Sequence, residues 1–234
     1  MVFSGFQKLT LLDFPQKTAA IVFTKGCNFR CPFCHNSELL DGTAEPVMTQ
    51  QELLVFLEKR KGLLDGVCIT GGEPTLQKDL PELLGQIKQL GYAVKLDTNG
   101  YRPEVLKTLV AKGLVDYVAM DVKNSPDRYA ETAGLPGLNI TRMEESLAFL
   151  LSGGVDYELR TTVAEPLHDR KAMEDIVCWM GNISKNKVRR FFIQPFADRD
   201  TVIFAGLKTP EMADLMGFQE ILGLCAEQVS IRGA

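Results

Sequence analysis

The chain has little of what membrane, secreted or nucleic-acid-binding proteins need. Its 234 residues contain no apolar run approaching the ~20 residues that span a bilayer. A net charge of −4 and a pI near 5.4 provide no basic surface for nucleic acid or an anionic membrane. Residues 1–14 lack the layout of a signal peptide. We therefore expect a cytoplasmic protein with neither a nucleic-acid nor a membrane partner.

Six cysteines are present, and three of them stand close together. Cys27, Cys31 and Cys34 have the spacing C-x-x-x-C-x-x-C and directly follow an apolar run at 18–24. Three thiols in eight residues can meet only on a tight loop, where thiolates would bind a soft metal or an iron–sulfur cluster. Because a 4Fe-4S cluster has four irons, three protein ligands leave one iron open to another molecule.

Other interpretations of the cysteines are weaker. A structural zinc site could use the three clustered cysteines with His35, but adjacent residues rarely reach the same tetrahedral ion, and no second C-x-x-C follows. A disulfide framework does not suit a chain of this length without a secretory signal. The remaining cysteines are too scattered for ligands and are expected to be buried thiols: Cys68, Cys178 and Cys225.

Strand-like and helix-like segments alternate from residue 18 onwards. Strands are expected at 18–24, 66–70, 92–97, 115–121, 155–163 and 188–194. Helix starts are indicated by capping boxes at Thr49–Glu52 and Thr141–Glu144, by Asp79 and Pro103, by apolar spacing from Met173 to Met180, and by Thr209-Pro210.

Six βα units in series predict parallel strands with helical crossovers in one α/β domain over residues 1–234. An open doubly wound sheet is the alternative, but no G-x-G-x-x-G follows a strand. Residues 122–140 are expected to form a long loop near the carboxyl ends of the strands, where (β/α) barrels place their sites.

The cysteine loop resembles the signature of the radical S-adenosylmethionine (SAM) enzymes, including aromatic Phe33 before the third cysteine. Gly71-Gly72-Glu73-Pro74, after the second strand, matches the segment that binds the SAM amino group in that family. The sequence of residues 5–15 and 25–31 is most similar to that of the activating proteins of anaerobic ribonucleoside-triphosphate reductases. The resemblance implies a partial (β/α)6 TIM-like barrel that binds a 4Fe-4S cluster and SAM.

The resemblance also assigns residues at the ends of the third, fourth and fifth strands. Asp97, Thr98 and Asp121 match oxygen ligands of a monovalent cation beside the SAM carboxylate, and oxygen is what hard cations prefer. The residues expected to contact the cofactor are Phe33, Gly71, Gly72, Glu73, Pro74, Asp97, Thr98, Asn99, Asp121, Lys123 and Arg160. Arg160 has a second interpretation, an ion pair with Glu158 on the same strand face.

Two further residues bear on the substrate side. Asp13 corresponds to a substrate-side carboxylate in the family, but Gln16 stands where relatives have glycine. If that glycine has positive φ, Gln16 implies a different turn. His168 is expected to be a surface residue.

The implied function is reductive cleavage of SAM to a 5′-deoxyadenosyl radical, which removes a glycine α-hydrogen from a partner glycyl radical enzyme. The expected partner is an anaerobic ribonucleotide reductase, and the expected electron donor is of the flavodoxin or ferredoxin type. Two alternatives remain: a radical SAM enzyme acting on a small molecule such as a deazapurine precursor, and a non-catalytic iron–sulfur module.

Overall fold

The computed structural model describes residues 1–202 and 204–233. Its contacts divide the chain into two compact units. The first unit contains Met1–Asn28, Glu38–Thr98 and Arg102–Ala119. The second contains Phe29–Ser37, Asn99–Tyr101 and the residues from Met120 on. The expectation of a single domain over residues 1–234 stays a prediction.

The elements alternate as the sequence predicts. The strands are β1 (Val2–Phe3), β2 (Gly5–Thr10), β3 (Ala19–Thr24), β4 (Met48–Thr49), β5 (Gly66–Gly71), β6 (Ala93–Thr98), β7 (Tyr117–Asp121), β8 (Asp156–Val163), β9 (Val188–Pro195) and β10 (Ala226–Ile231). The helices are α1 (Gln50–Lys59), α2 (Leu80–Gln89), α3 (Pro103–Ala111), α4 (Pro126–Thr132), α5 (Ile140–Leu151), α6 (Arg170–Ile183) and α7 (Met212–Leu222).

Strand order confirms the α/β class. In the first unit the hydrogen-bonded order is β2-β3-β5-β6-β7, with β2 antiparallel to β3, and β3, β5 and β6 parallel. In the second unit the order continues from the end of β7 as β7-β8-β9-β10, and the pairs β8-β9 and β9-β10 are parallel. Within the described residues β2 and β10 are the edge strands, so the six βα units form the expected partial barrel rather than a closed one.

The first unit has an apolar core beneath its strands. Phe14, Ala19, Ile21, Cys68 and Tyr117 form one buried cluster. The inward faces of α1 and α2 add leucines at helical spacing, as their sequence pattern predicts. The buried cluster lies at the amino-terminal halves of β3 and β5, which leaves their carboxyl ends to lead into the candidate site.

In the second unit, α5 and α6 bury the apolar faces that their spacing predicts. Met173, Ile176 and Met180 are buried on α6, as expected. Trp179 on the same helix packs edge-on against Tyr129 of α4, with ring centroids 5.9 Å apart.

Several predicted helix boundaries are wrong. The 122–140 segment contains α4, so it is not a long loop. Helix α5 begins before the predicted Thr141 cap, because Asn139 caps it by accepting a hydrogen bond from the Thr141 N–H at 3.1 Å. Helix α7 begins only at Met212, after Glu211, and the Thr209 hydroxyl, predicted to lie at the helix start, donates to the Phe196 carbonyl instead.

None of the described helices is both long and apolar enough to cross a membrane.

Candidate functional site

The cysteine loop leaves the carboxyl end of β3 and is tied down at its start by backbone hydrogen bonds. The Gly26 N–H donates to the Leu39 carbonyl at 2.6 Å, and the Cys27 N–H donates to the Leu40 carbonyl at 3.1 Å. Both pairs lie in the first unit. Cys27 is half-buried, which leaves its thiol partly accessible.

The Gly71-Gly72 pair lies against the backbone of that loop in the first unit. A Cβ on Gly72 would lie 2.2 Å from the Gly26 carbonyl oxygen, and one on Gly71, whose φ is +111°, would lie 2.4 Å from the Thr24 carbonyl oxygen. The Glu73 N–H donates to the Gly26 carbonyl at 2.8 Å. Only glycine permits this approach, so the pair positions Glu73 beside the start of the cysteine loop.

Glu73 is fully buried, and its carboxylate is held by threonines. Glu73 Oε1 accepts from the Thr75 N–H at 3.0 Å, the Thr75 hydroxyl at 2.5 Å and the Thr98 hydroxyl at 2.7 Å. Pro74 follows as the first residue of a short 3-10 turn. Hydrogen bonds of this kind stabilise a charged carboxylate away from water. The only signal for Thr75 in the sequence was a hydroxyl residue two positions after Glu73, and its role was not predicted.

Asp97 lies next to the end of β6 and has an ion-pair partner that the sequence analysis also missed. Lys95 Nζ is 2.5 Å from Asp97 Oδ1, and the lysine side chain is only 1% exposed. Residues i and i+2 of a strand share a face, so a lysine inside a buried strand was the available signal. Asn99, two residues after Asp97, is buried and accepts from the Tyr101 N–H at 3.0 Å.

The second unit contains the other two cysteines of the loop. Cys31 is buried and Cys34 is half-buried. The Arg30 N–H donates to the Ala133 carbonyl at 2.8 Å, and Cys31 Sγ lies 3.9 Å from the same oxygen. Burial raises the pKa of the Cys34 thiol. These contacts anchor this part of the loop to the residues that follow α4.

Asp121, at the end of β7, forms two ion pairs in the second unit. Its Oδ2 is 2.9 Å from Lys123 Nζ and its Oδ1 is 2.9 Å from Arg160 Nε. Burial by itself lowers the pKa of the Lys123 ammonium, but the Asp121 carboxylate together with nearby Cys31 and Tyr129 raises that pKa overall. Glu158, the alternative partner considered for Arg160, pairs with Arg232 at 3.1 Å.

His168 is buried, so its assignment to the surface is wrong. Its Nε2 lies 2.8 Å from the Lys123 carbonyl, and the Ala164 N–H lies 3.2 Å from its Nδ1. Its ring centroid is 6.0 Å from that of Phe33, which is also buried. Desolvation lowers the pKa of His168. The ring is therefore a neutral support for the segment after β7.

The turn that contains Asp13 keeps the geometry that a glycine would give. Gln16 has φ +60°, so the inference of a different turn is wrong. Asp13 is exposed, and its carboxylate accepts from the Thr10 hydroxyl.

The expectation of buried thiols outside the loop holds only for Cys68. Cys178 is exposed, because it lies on the outward face of α6, and Cys225 is half-buried at the end of the turn before β10. Burial raises the pKa of Cys225 to about 11.

The residues fit an iron–sulfur cluster better than a single metal ion. None of the six cysteines, all of which the structure describes, is in a disulfide, so Cys27, Cys31 and Cys34 can supply thiolates. Among the described residues, no group of three or more His, Cys, Asp or Glu side chains could hold one metal ion. A 4Fe-4S cluster does not need such convergence, since each thiolate binds a different iron.

Comparisons with known proteins agree with this chemistry. The Radical SAM superfamily profile matches residues 21–177. A protein of Methanocaldococcus jannaschii, provisionally named a glycyl-radical enzyme activating enzyme, is 32% identical over 98% of this chain and 95% of its own length. A protein of Thermococcus kodakarensis, provisionally named a GTP 3′,8-cyclase, is 32% identical over 66% of this chain and 50% of its own length.

Solved structures show the same fold. SuiB of Streptococcus suis, solved with S-adenosylmethionine bound, superposes with a TM-score of 0.67 at 17% identity. The match covers 92% of this chain and 52% of SuiB. The chain therefore spans about half of SuiB and half of the cyclase relative, but nearly all of the M. jannaschii relative.

Proposed function

Because this chain belongs to the Radical SAM superfamily, we propose that it is the activase of a glycyl radical enzyme. The family uses a 4Fe-4S cluster and S-adenosylmethionine. The proposed partner is an anaerobic ribonucleotide reductase, and the proposed electron donor is of the flavodoxin or ferredoxin type.

The observation that carries the proposal is the extent of the activase match. The similarity to the M. jannaschii protein covers 98% of this chain and 95% of that protein, so the two chains have nearly the same parts. Half of the cyclase relative lies outside the matched region, since only 50% of its length is covered. The M. jannaschii relative therefore resembles this chain over nearly its whole length, whereas the cyclase relative resembles it over a part.

The first unit supplies the amino-group side of the proposed SAM site. Cys27 is a proposed cluster ligand, and Glu73 is the proposed acceptor of the SAM ammonium. The threonine hydrogen bonds fix Oε1 of Glu73, which keeps the carboxylate in one orientation. When bound, the cluster and SAM supply the 5′-deoxyadenosyl radical that abstracts a hydrogen atom.

The second unit supplies the remaining proposed roles. Cys31 and Cys34 complete the cluster ligands, and Lys123 and Arg160 are proposed to lie near SAM. Asp121 holds both cations through its two oxygens, so their side chains keep fixed directions. This is how a rigid site limits motion of a bound cofactor.

The test is electron paramagnetic resonance of the anaerobically reduced protein mixed with SAM and a glycyl radical enzyme from the same source. We expect the doublet of a glycyl radical. Asp13 is exposed and proposed to contact the partner's glycine loop, so Asp13→Ala is expected to diminish the doublet more than it diminishes SAM cleavage without a partner.

Asp41→Ala is the matched control, because Asp41 also accepts from a threonine hydroxyl in an exposed turn. It is expected to leave the doublet unchanged. A normal doublet from Asp13→Ala would remove Asp13 from the proposal. Silence of every glycyl radical enzyme tested, with SAM still cleaved, would reject the activase function.

The second candidate is a radical SAM enzyme that acts on a small molecule, such as a deazapurine precursor. It is favoured by the cyclase relative, whose 32% identity equals that of the activase relative over a shorter region. Stoichiometric consumption of SAM by a purine-like compound, without any protein radical, would establish it.

A further inference from the structure

The residues predicted to bind a monovalent cation already have partners in the first unit. The Asp97 carboxylate is 2.5 Å from Lys95 Nζ. The Thr98 hydroxyl donates to Glu73 at 2.7 Å, so its hydrogen points at a carboxylate. The Thr98 contact leaves the hydroxyl lone pairs available, so what argues against a bound cation is the Asp97 contact, in which the lysine ammonium already lies on a carboxylate oxygen that the cation would use.

Lys95 occupies a position where a strand would ordinarily place an apolar side chain. Its neighbours in β6, Val94 and Leu96, are fully buried, and its parallel partner on β5 is Cys68, also buried. A lysine is almost never fully buried unless it is paired, because removing its charge from water is costly. Asp97 provides that pairing, and its side chain retains 15% exposure, so the ion pair reaches the surface at the carboxyl end of the strand.

We propose that the Lys95 ammonium replaces the monovalent cation and supplies the positive charge that offsets the carboxylate of SAM. The inference rests on the SAM site proposed above and goes beyond it, since it assigns a residue and a cation requirement. Asp97 then acts as the positioning residue that holds the ammonium in place. SAM binding and cleavage should accordingly need neither potassium nor sodium.

The same arrangement recurs in the second unit. Asp121, the third residue predicted to bind the cation, has both carboxylate oxygens paired, one with Lys123 and one with Arg160. Each predicted carboxylate ligand thus has a protein-borne cation of its own. A metal ion would have to compete with these ammonium and guanidinium groups for the same oxygens.

The first measurement is SAM affinity by equilibrium dialysis on the unreduced, cluster-loaded wild-type protein. It is made in potassium chloride, in sodium chloride and in tetramethylammonium chloride at equal ionic strength. We expect the three dissociation constants to agree within about twofold, and the rate of SAM cleavage after reduction to agree likewise. If SAM binds tightly only with potassium or sodium, the inference is wrong while the proposed function stands. If SAM is not cleaved in any of the three salts, the proposed function itself fails.

The second measurement uses Lys95→Met, which keeps the side-chain length and removes the charge. In tetramethylammonium chloride its SAM dissociation constant should rise about tenfold, and potassium should restore much of the loss. Lys88→Met is the control, because Lys88 pairs with Asp116 at 2.7 Å in the same unit but on the outer helix α2. Its SAM affinity should not change in any of the salts.

A direct readout of cation binding is retention of rubidium by the SAM-bound protein before reduction. Wild type should retain none above background, whereas Lys95→Met should retain close to one ion. If Lys95→Met does not fold, the double variant Lys95→Met/Asp97→Asn removes both charges of the pair and avoids an unpaired buried carboxylate. Its SAM affinity should be weakened and should no longer respond to potassium. Rubidium bound by wild type, or SAM affinity kept by either variant, would overturn the inference.

Discussion

At the scale of single residues, Glu73 has the most closely determined environment. Its carboxylate is fully buried, yet one oxygen accepts three hydrogen bonds, from a backbone N–H and two hydroxyls. Such a carboxylate cannot rotate without breaking several of these bonds at once. A group fixed in this way can accept an ammonium in one defined direction, which is what recognition of an amino acid requires.

Thr75→Val should therefore weaken SAM recognition. Valine keeps the shape of threonine but removes one charge-assisted hydrogen bond to Glu73, and such bonds contribute about 1.5–3 kcal/mol. We expect KM for SAM to rise by roughly tenfold with a smaller change in kcat, and Thr75→Ser to restore most of the affinity.

Thr161→Val is a suitable control for this experiment. Thr161 is also fully buried, but its hydroxyl donates to the Val122 carbonyl at 2.8 Å rather than to Glu73. It should lower stability without changing KM for SAM. Equal effects of the two valine variants on KM would show that Thr75 acts through general stability.

At the scale of elements, the first residues of a helix show how well its capping can be predicted from the sequence. Helix α1 has the complete capping box that its sequence predicts: Thr49 Oγ1 accepts from the Glu52 N–H, and Glu52 accepts from the Thr49 N–H at 2.8 Å. Helix α2 has Asp79 at the equivalent position, but that side chain makes no capping bond. Pro81, the second residue of α2, removes one of the two N–H groups that such a cap can bind.

This difference predicts unequal costs for two alanine substitutions. Thr49→Ala should lower the free energy of unfolding by about 1 kcal/mol, because it removes a working N-cap. Asp79→Ala should cost much less than that, since no cap is lost. Chemical denaturation of both variants measures the difference, and equal losses would contradict the structural distinction between the two helix starts.

At the scale of the whole molecule, buried His168 links stability to pH. Desolvation lowers its pKa in the folded state below the ordinary value near 6.5. Below about pH 6.5 the imidazole of His168 becomes protonated in the unfolded chain, whereas burial keeps it neutral in the folded protein. Stability should thus be fully present above about pH 6.5 and should be lost as the pH falls towards the lowered folded pKa.

His168→Gln should flatten this dependence. Wild type is expected to lose up to about 1.4 kcal/mol of unfolding free energy per pH unit from this group as the pH falls below about 6.5. The variant should lose correspondingly less, whatever its stability at neutral pH. Parallel denaturation series at several pH values give the two slopes, and identical slopes would mean that His168 does not titrate as its burial implies.

The sequence by itself determined the features that depend on neighbours along the chain. The alternation of strands and helices, the spacing of Cys27, Cys31 and Cys34, the Gly71-Gly72 turn and the Thr49 cap all follow from local periodicity and residue chemistry. These were enough to predict the α/β class and a thiolate site for a soft metal or an iron–sulfur cluster, whereas the 4Fe-4S cluster and SAM were implied by the family resemblance that the motifs carry. The start of α5 could not be predicted from local sequence, because Asn139 and Thr141 are both acceptable N-caps and nothing in the sequence chooses between them.

Only the tertiary structure decided which side chains share a partner. Arg160 on β8 pairs with Asp121 at the end of β7, because the partner of a side chain depends on which strands lie side by side. His168 is buried although a turn residue is ordinarily exposed, since the segment after β7 folds over it. Lys95 gains its role from full burial beside Asp97. Burial and ion pairing are long-range properties, so the charges at the site follow from the fold rather than from spacing along the chain.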